Sequence, residues 1–187
     1  MKVRQFIIHH SSFIIVSLLG DSRVEVKWTP WRGQYIKGGD AAAEAGCVLC
    51  NAPRDDDDAA RLVLRRGEHA YVLMNLYPYN PGHLMVAPYE HTADFAALPA
   101  AVAAEIMALG QQCIAILEAE MQPHGFNLGM NLGRTAGAGI DQHLHLHVVP
   151  RWNGDTNFMP LIGGVKLIPE AIDDTYAALR PRFDALA

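Results

Sequence analysis

His143-Leu144-His145-Leu146-His147-Val148-Val149 alternates imidazole and aliphatic side chains. Successive side chains of a strand point to opposite faces. The three histidines therefore fall on one face, and Leu144, Leu146 and Val148 on the other. The aliphatic face is expected to be core, with the imidazoles spaced ~7 Å apart along the strand. A structural strand has no packing reason to select three imidazoles, which are costly to desolvate. Two chemistries stay open on the residues alone. His-x-His on a strand can present two ligands to one metal ion. Alternatively, one imidazole is a nucleophile toward phosphate, with neighbours that orient it and stabilise charge. The strand is expected to run from Leu144 to Val149 and to close at Pro150.

Upstream lies a glycine-rich loop, Gly133 to Gly139, after a short strand-like run from Phe126 to Asn131. Val102, Ile106, Leu109, Cys113, Ile116 or Leu117, and Met121 recur at three- and four-residue steps, which predicts a helix over Pro99–Met121. Pro99 suits its first turn, and Cys113 falls on the apolar stripe as a small core residue. Further upstream, Arg61–Arg65, Ala70–Asn75 and His83–Ala87 read as strands, the last two joined by the turn Pro78-Tyr79-Asn80-Pro81-Gly82. Downstream, 151–168 reads as irregular and Pro169–Leu186 as a helix that Pro181 bends or ends. Locally paired strands with one long helix between them predict an α+β fold with a mainly antiparallel sheet. There is no internal repeat.

The chain has 187 residues, enough for one domain plus an appendage, and 50% are hydrophobic against 19% charged. The net charge of −5 gives no electrostatic grip on nucleic acid. An anionic substrate must be held locally, by backbone amides and a few side chains. Cys47, Cys50 and Cys113 are too few for a disulfide framework. In a reducing compartment Cys47-x-x-Cys50 reads as redox or metal chemistry. No βαβ pattern surrounds the pair, which disfavours a thioredoxin-like role. Asp55–Asp58 reads as a solvated acidic loop. Residues 1–27 read as an N-terminal extension. Met1–Arg4 is basic and Phe6–Gly20 mostly apolar, but His9 to Ser12 interrupt that run and no small-x-small site follows Leu19. The run is too short to span a bilayer. Trp28–Lys37, aromatic and basic, is expected to pack onto the remaining domain, 28–187. A cytoplasmic protein without membrane or nucleic-acid partners is expected.

The strand resembles the histidine triad family of nucleotide hydrolases and transferases, whose signature His-φ-His-φ-His-φ-φ (φ apolar) is matched from His143 to Val149. Asn131-x-Gly133-x-x-Ala136-Gly137 resembles the loop preceding the family's triad. Asn75, Pro81-Gly82-His83 and Ala87-Pro88 resemble its hairpin. Together these cover about residues 47–152. Trp28–Tyr35 and Arg151–Pro160 are similar to a bacterial branch that acts on diadenosine tetraphosphate. Two departures stand out: Ala136-Gly137-Ala138-Gly139 replaces the commoner Ala-Gly-Gln with one extra residue, and Leu146 stands where that branch often carries glutamine.

The resemblance implies a histidine triad fold and a nucleotide substrate, with inorganic phosphate or water as acceptor. It implies that His145 attacks an α-phosphorus and forms a nucleotidyl-histidine, with His147 beside the phosphates. Asn75 and Asn131 match positions touching ribose or phosphate, and Asn157 is expected to do likewise. Gly133, Gly137 and Gly139 let backbone approach an anion. His83 is expected to brace the hairpin, and Trp152 and Phe158 to stack on a base. In zinc-containing members a C-x-x-C pair, a histidine after the hairpin and the first triad histidine hold one ion. Here these are Cys47, Cys50, His91 and His143, a closed structural set. The resemblance also implies a homodimer or larger assembly. The rivals to a dinucleoside polyphosphate phosphorylase or hydrolase are a purine nucleoside phosphoramidate hydrolase, a non-catalytic nucleotide-binding module, and a metal hydrolase ligated by His143, His145 and His147.

Overall fold

A computed structural model describes residues 46–54, 56–155 and 170–186. The expectations for residues 1–37, Asp55, Asn157 and Phe158 lie outside the described residues. In chain order the elements are α1 (Val48–Asn51), β1 (Val63–Arg66), β2 (Ala70–Met74), β3 (Leu84–Pro88), α2 (Ala100–Met121), β4 (Gly125–Met130), a 3₁₀ turn (Arg134–Ala136), β5 (Leu146–Arg151) and α3 (Ile172–Asp184). The strands form one sheet in the order β1-β2-β3-β5-β4, and every pairing is antiparallel. This is the α+β architecture expected.

The alternation along 144–148 separates the two faces of the sheet. Leu144, Leu146 and Val148 enter the larger core with Ile106, Leu109, Cys113 and Leu117 of α2, and Leu179 and Phe183 of α3. Those four α2 residues recur at helical spacing, so one stripe of the helix meets the sheet. Gly110 permits the close approach: a Cβ there would stand 3.1 Å from Leu146 Cδ2. The opposite face carries a smaller cluster, Leu49, Val63, Tyr71, Leu73, Met85 and Ala87. The triad histidines look toward this side.

Several boundaries differ from the sequence reading. β5 starts at Leu146 and runs through Pro150 to Arg151, so Pro150 does not close it. β3 pairs with β5 only from Leu146 to Val148. Pro150, which lacks an N–H, thus lies where that ladder has ended, a position proline tolerates. There the Asn80 side-chain amide donates to the Pro150 carbonyl at 2.8 Å. Pro99 caps α2 instead of entering its first turn. Pro181 lies inside α3 without ending it, because Leu179 and Phe183, both buried, anchor the last turn to the core. β1 begins at Val63 after Leu62, whose φ of 58° is unusual for a branched residue, and it carries a bulge between Val63 and Arg65. Asp58 is not a solvated carboxylate. It pairs with Arg66 at 2.7 Å and Arg180 at 3.0 Å, tying the loop to α3.

Gly82 ends the β2–β3 turn with φ +70°, and a Cβ there would lie 2.6 Å from Met121 Sδ and 3.0 Å from Leu117 Cδ2. Both the left-handed backbone and the contact oppose any side chain. Gly82→Ala is therefore expected to destabilise the fold by about 1–3 kcal/mol. Urea unfolding followed by circular dichroism measures this, and an unchanged midpoint would refute it.

Candidate active site and metal cluster

The three triad histidines are buried, with relative exposures of 0%, 5% and 8% for His143, His145 and His147. They do not form an evenly spaced row. His143 turns toward the cysteines, whereas the rings of His145 and His147 meet edge to face with centroids 4.7 Å apart. His143 and His145 precede β5, which begins at Leu146, so the strand repeat does not extend over all three. The imidazoles do not converge on one point, which leaves the three-histidine metal hydrolase without a site.

Hydrogen-bond partners fix where each ring carries its proton. His145 Nδ1 lies 2.9 Å from the His143 carbonyl oxygen. A carbonyl only accepts, so Nδ1–H donates and Nε2 keeps a free lone pair. The backbone N–H of Tyr79 donates to His83 Nδ1 at 3.0 Å. Neutral His83 therefore carries its proton on Nε2, which lies 3.0 Å from His147 Nδ1. His147 accepts there and holds its own proton on Nε2. His143 Nε2–H donates to the Pro88 carbonyl at 2.9 Å, leaving Nδ1 unprotonated. One backbone carbonyl and one bracing histidine thus set different tautomers on His145 and His147. Burial pushes the His145 and His143 imidazoles below the ordinary histidine range, against the opposing effect of their carbonyl hydrogen bonds. The favoured neutral form is the one that can attack phosphorus or bind a metal.

The lone pair of His143 Nδ1 faces Cys47 Sγ at 3.4 Å and Cys50 Sγ at 3.5 Å, and His91 Nδ1 lies 3.2 Å from Cys50 Sγ. All four donor atoms lie within 4.8 Å of one another. Sulfur at ~2.3 Å and nitrogen at ~2.0 Å from a tetrahedral ion lie roughly 3.5 Å apart. The Cys₂His₂ set predicted from the sequence is therefore brought together at spacings that fit a metal ion.

Two cavities flank His147. The first, of about 220 Å³, is lined by Leu49, Ala52, Leu62, Leu73, Met85 and Ile140, and also by Arg61, Asn75, Gly139, His145 and His147. The second, of about 350 Å³, is bordered by Asn80, Asn127, Asn131 and Arg151. Tyr79 and His147 border both. Asn75 sits at the first cavity but is also held internally: its Oδ1 accepts from the Tyr77 N–H at 2.9 Å, and its Nδ2 lies 3.3 Å from His83 Nδ1. Gly133 and Gly137 adopt φ of 82° and 91° around the exposed 3₁₀ turn, and neither borders either of these two cavities. Trp152 borders neither cavity. Its N–H bonds to Asp155 at 3.2 Å.

Three residues escaped the sequence reading. Tyr79 leans over His83 and His147, with ring centroids 4.6 and 5.6 Å away. Asp155 accepts from Arg151 at 2.6 and 2.8 Å and from Asn80 Nδ2 at 2.7 Å. This clasps the segment after β5 to the turn bearing Tyr79. Asn80 and Tyr79 were legible only as turn formers, and Asp155 only as part of the irregular stretch 151–168. Their partners are distant in sequence, so no local signal marks them.

Residues 58–154 match the HIT domain family model. The chain is 43% identical over 154 residues to the AP-4-A phosphorylase of Mycobacterium tuberculosis, covering 79% of this chain and 78% of that protein. It superposes with a TM-score of 0.59 on a Zn-bound histidine triad family protein from Mycobacterium smegmatis, at 26% identity, covering 75% of this chain and 95% of that one. A diadenosine triphosphate hydrolase from Plasmodium falciparum shares the fold, at 17% identity and a TM-score of 0.53, over 67% of this chain and 76% of that one.

Proposed function

We propose that this chain, which belongs to the HIT (histidine triad) family, transfers a nucleotidyl group from a dinucleoside polyphosphate to inorganic phosphate or water. The observation that carries this reading is the tautomer of His145: Nδ1–H is committed to the His143 carbonyl, which leaves the Nε2 lone pair on a ring that borders a cavity lined mostly by apolar side chains. A base would pack against the aliphatic side chains of that cavity, with the α-phosphate beside His145 and His147. His145 Nε2 forms a bond to phosphorus as the bond from phosphorus to the leaving phosphate oxygen breaks. His147 Nε2–H stabilises the charge that develops on oxygen. A second in-line attack, by phosphate or water, breaks the N–P bond and returns His145 to its starting form. Asn75 and Gly139 sit where ribose and phosphate would reach, and Asn131 borders the path of the leaving group. Asn157 is carried here on the sequence reading.

Diadenosine tetraphosphate is the proposed substrate, on the likeness to the AP-4-A phosphorylase. Product analysis tests it. With phosphate present a phosphorylase yields ATP and ADP, whereas a hydrolase yields ATP and AMP with or without phosphate. Turnover of neither kind would remove this substrate and bring forward an adenosine phosphoramidate.

Cys47, Cys50, His91 and His143 would hold zinc as a structural ion. The likeness to the Zn-bound relative supports that identity. We also propose a homodimer or larger assembly. Met107 on α2 and Leu128 on β4 are exposed apolar side chains, and β4 is an edge strand. Light scattering of the purified protein is expected to give at least twice the monomer mass of 20.5 kDa. A monomer at micromolar concentration would refute the assembly.

A further inference from the structure

We propose that metal binding at the Cys47–Cys50–His91–His143 cluster and nucleotide binding in the adjoining cavity are reciprocally coupled, through α1 and His143. The inference rests on the reading of the first cavity as the nucleoside site.

The two sites share parts. α1 is a single turn of four residues, with Cys47 as its N-cap and no side-chain cap bond. So short a helix has almost no stability of its own. Its two cysteines face the cluster, while Val48, Leu49 and Ala52 border the nucleoside cavity. Apart from the cluster, the turn is anchored by burial of Leu49, Asn51 and Ala52, by the Tyr71 hydroxyl, which donates to the Leu49 carbonyl at 2.6 Å, and by Arg66, which donates to the Pro53 carbonyl at 2.6 Å. These anchors lie on its C-terminal side, so the N-terminal part of the turn, with Cys47 and Val48, is the part whose position the cysteines' partners set.

His143 is shared in a second way. Its Nδ1 faces the sulfurs, while its carbonyl oxygen accepts the Nδ1–H of His145. Fixing the His143 ring fixes the peptide that sets the tautomer of the nucleophile. A metal at the cluster therefore preorganises both the apolar wall and the attacking nitrogen. A nucleotide in the cavity likewise packs against Val48, Leu49 and Ala52 and against His145, whose Nδ1–H holds the His143 carbonyl, and so favours the positions that the metal requires. Where one ligand removes an ordering cost for the other, each raises the other's affinity by the same factor. Couplings of this kind run from about 5- to 150-fold, and a factor of roughly ten is expected here.

The experiment is a full thermodynamic square on the intact chain. The zinc dissociation constant is measured by competition with a chromophoric chelator, with and without saturating AMP. AMP affinity is measured by calorimetry on zinc-loaded and zinc-stripped protein. The expected result is zinc held roughly tenfold more tightly with AMP, and AMP weakened by the same factor in stripped protein. Should stripped protein unfold, the chelator arm on loaded protein still reads the coupling. If AMP binds loaded protein but leaves zinc affinity unchanged, the coupling is wrong and the nucleoside reading stands. If AMP fails to bind loaded protein at all, the nucleoside reading fails and takes the coupling with it.

Discussion

His145→Ala is expected to reduce kcat by at least ~10⁴-fold, as loss of an enzyme nucleophile commonly does. The reason is specific to this ring. His145 Nδ1–H is committed to the His143 carbonyl, so Nε2 is its only free nitrogen. Alanine leaves nothing to form the bond to phosphorus. Most of the pocket wall is built by other residues, so AMP affinity should change by less than roughly fivefold, the range of uniform binding effects. Metal content should stay constant because the ring of His145 lies outside the cluster. His147→Ala removes a donor but no bond-forming atom, and a loss of about 10²–10³ in kcat is expected. Separate measurement of kcat, AMP affinity and bound metal distinguishes the roles. Labelled substrate should leave an acid-labile nucleotidyl adduct on wild-type protein and none on His145→Ala. A fully active His145→Ala variant would end the covalent reading.

Chelation is expected to produce the largest stability change. An ion held at 1,000 times its dissociation constant stabilises the native state by about 4 kcal/mol. A domain of this size moves about 2–4 °C per kcal/mol, so stripping the metal should lower Tm by roughly 8–16 °C. Cys47→Ser and Cys50→Ser should begin from the lowered Tm and respond little to chelator, because hydroxyl is a poor substitute for thiolate at such a site. Cys113→Ser should remain chelator-sensitive, since Cys113 lies in the α2 core, away from the cluster. Differential scanning calorimetry with and without EDTA reads all four proteins. A wild-type Tm that chelator leaves unmoved would show that the cluster holds no stabilising metal.

Much of this site was legible in the chain because its signals are local or periodic. Alternation at 143–149 assigned a core face and a chemical face, and both are found. The three- and four-residue spacing across α2 located the core helix to within a residue of its N-terminus. The Cys47-x-x-Cys50 spacing marked ligands, and the family pattern named His91 and His143 as their partners. The turn around Gly82 was legible from proline and glycine alone.

Where sequence reasoning erred, a competing interaction across the fold decided. Pro150 stays within β5 because β3 has already stopped pairing there and Asn80 bonds its carbonyl. Of the two outcomes read for Pro181, ending the helix is the one overturned, because its neighbours on the buried face hold the last turn down. Asp58 is paired because folding brings Arg66 and Arg180 to it.

By itself the sequence singled out the residues expected to carry chemistry, because side-chain type and spacing set faces and candidate ligand sets. Only the tertiary structure decided which nitrogen of each histidine carries the proton. A neutral imidazole has two tautomers, and the partner of one nitrogen selects which. Those partners are the His143 carbonyl, His83 and the Pro88 carbonyl. Two of them come from the β2–β3 hairpin, more than fifty residues before the rings they orient, so the choice is made only when β3 pairs with β5.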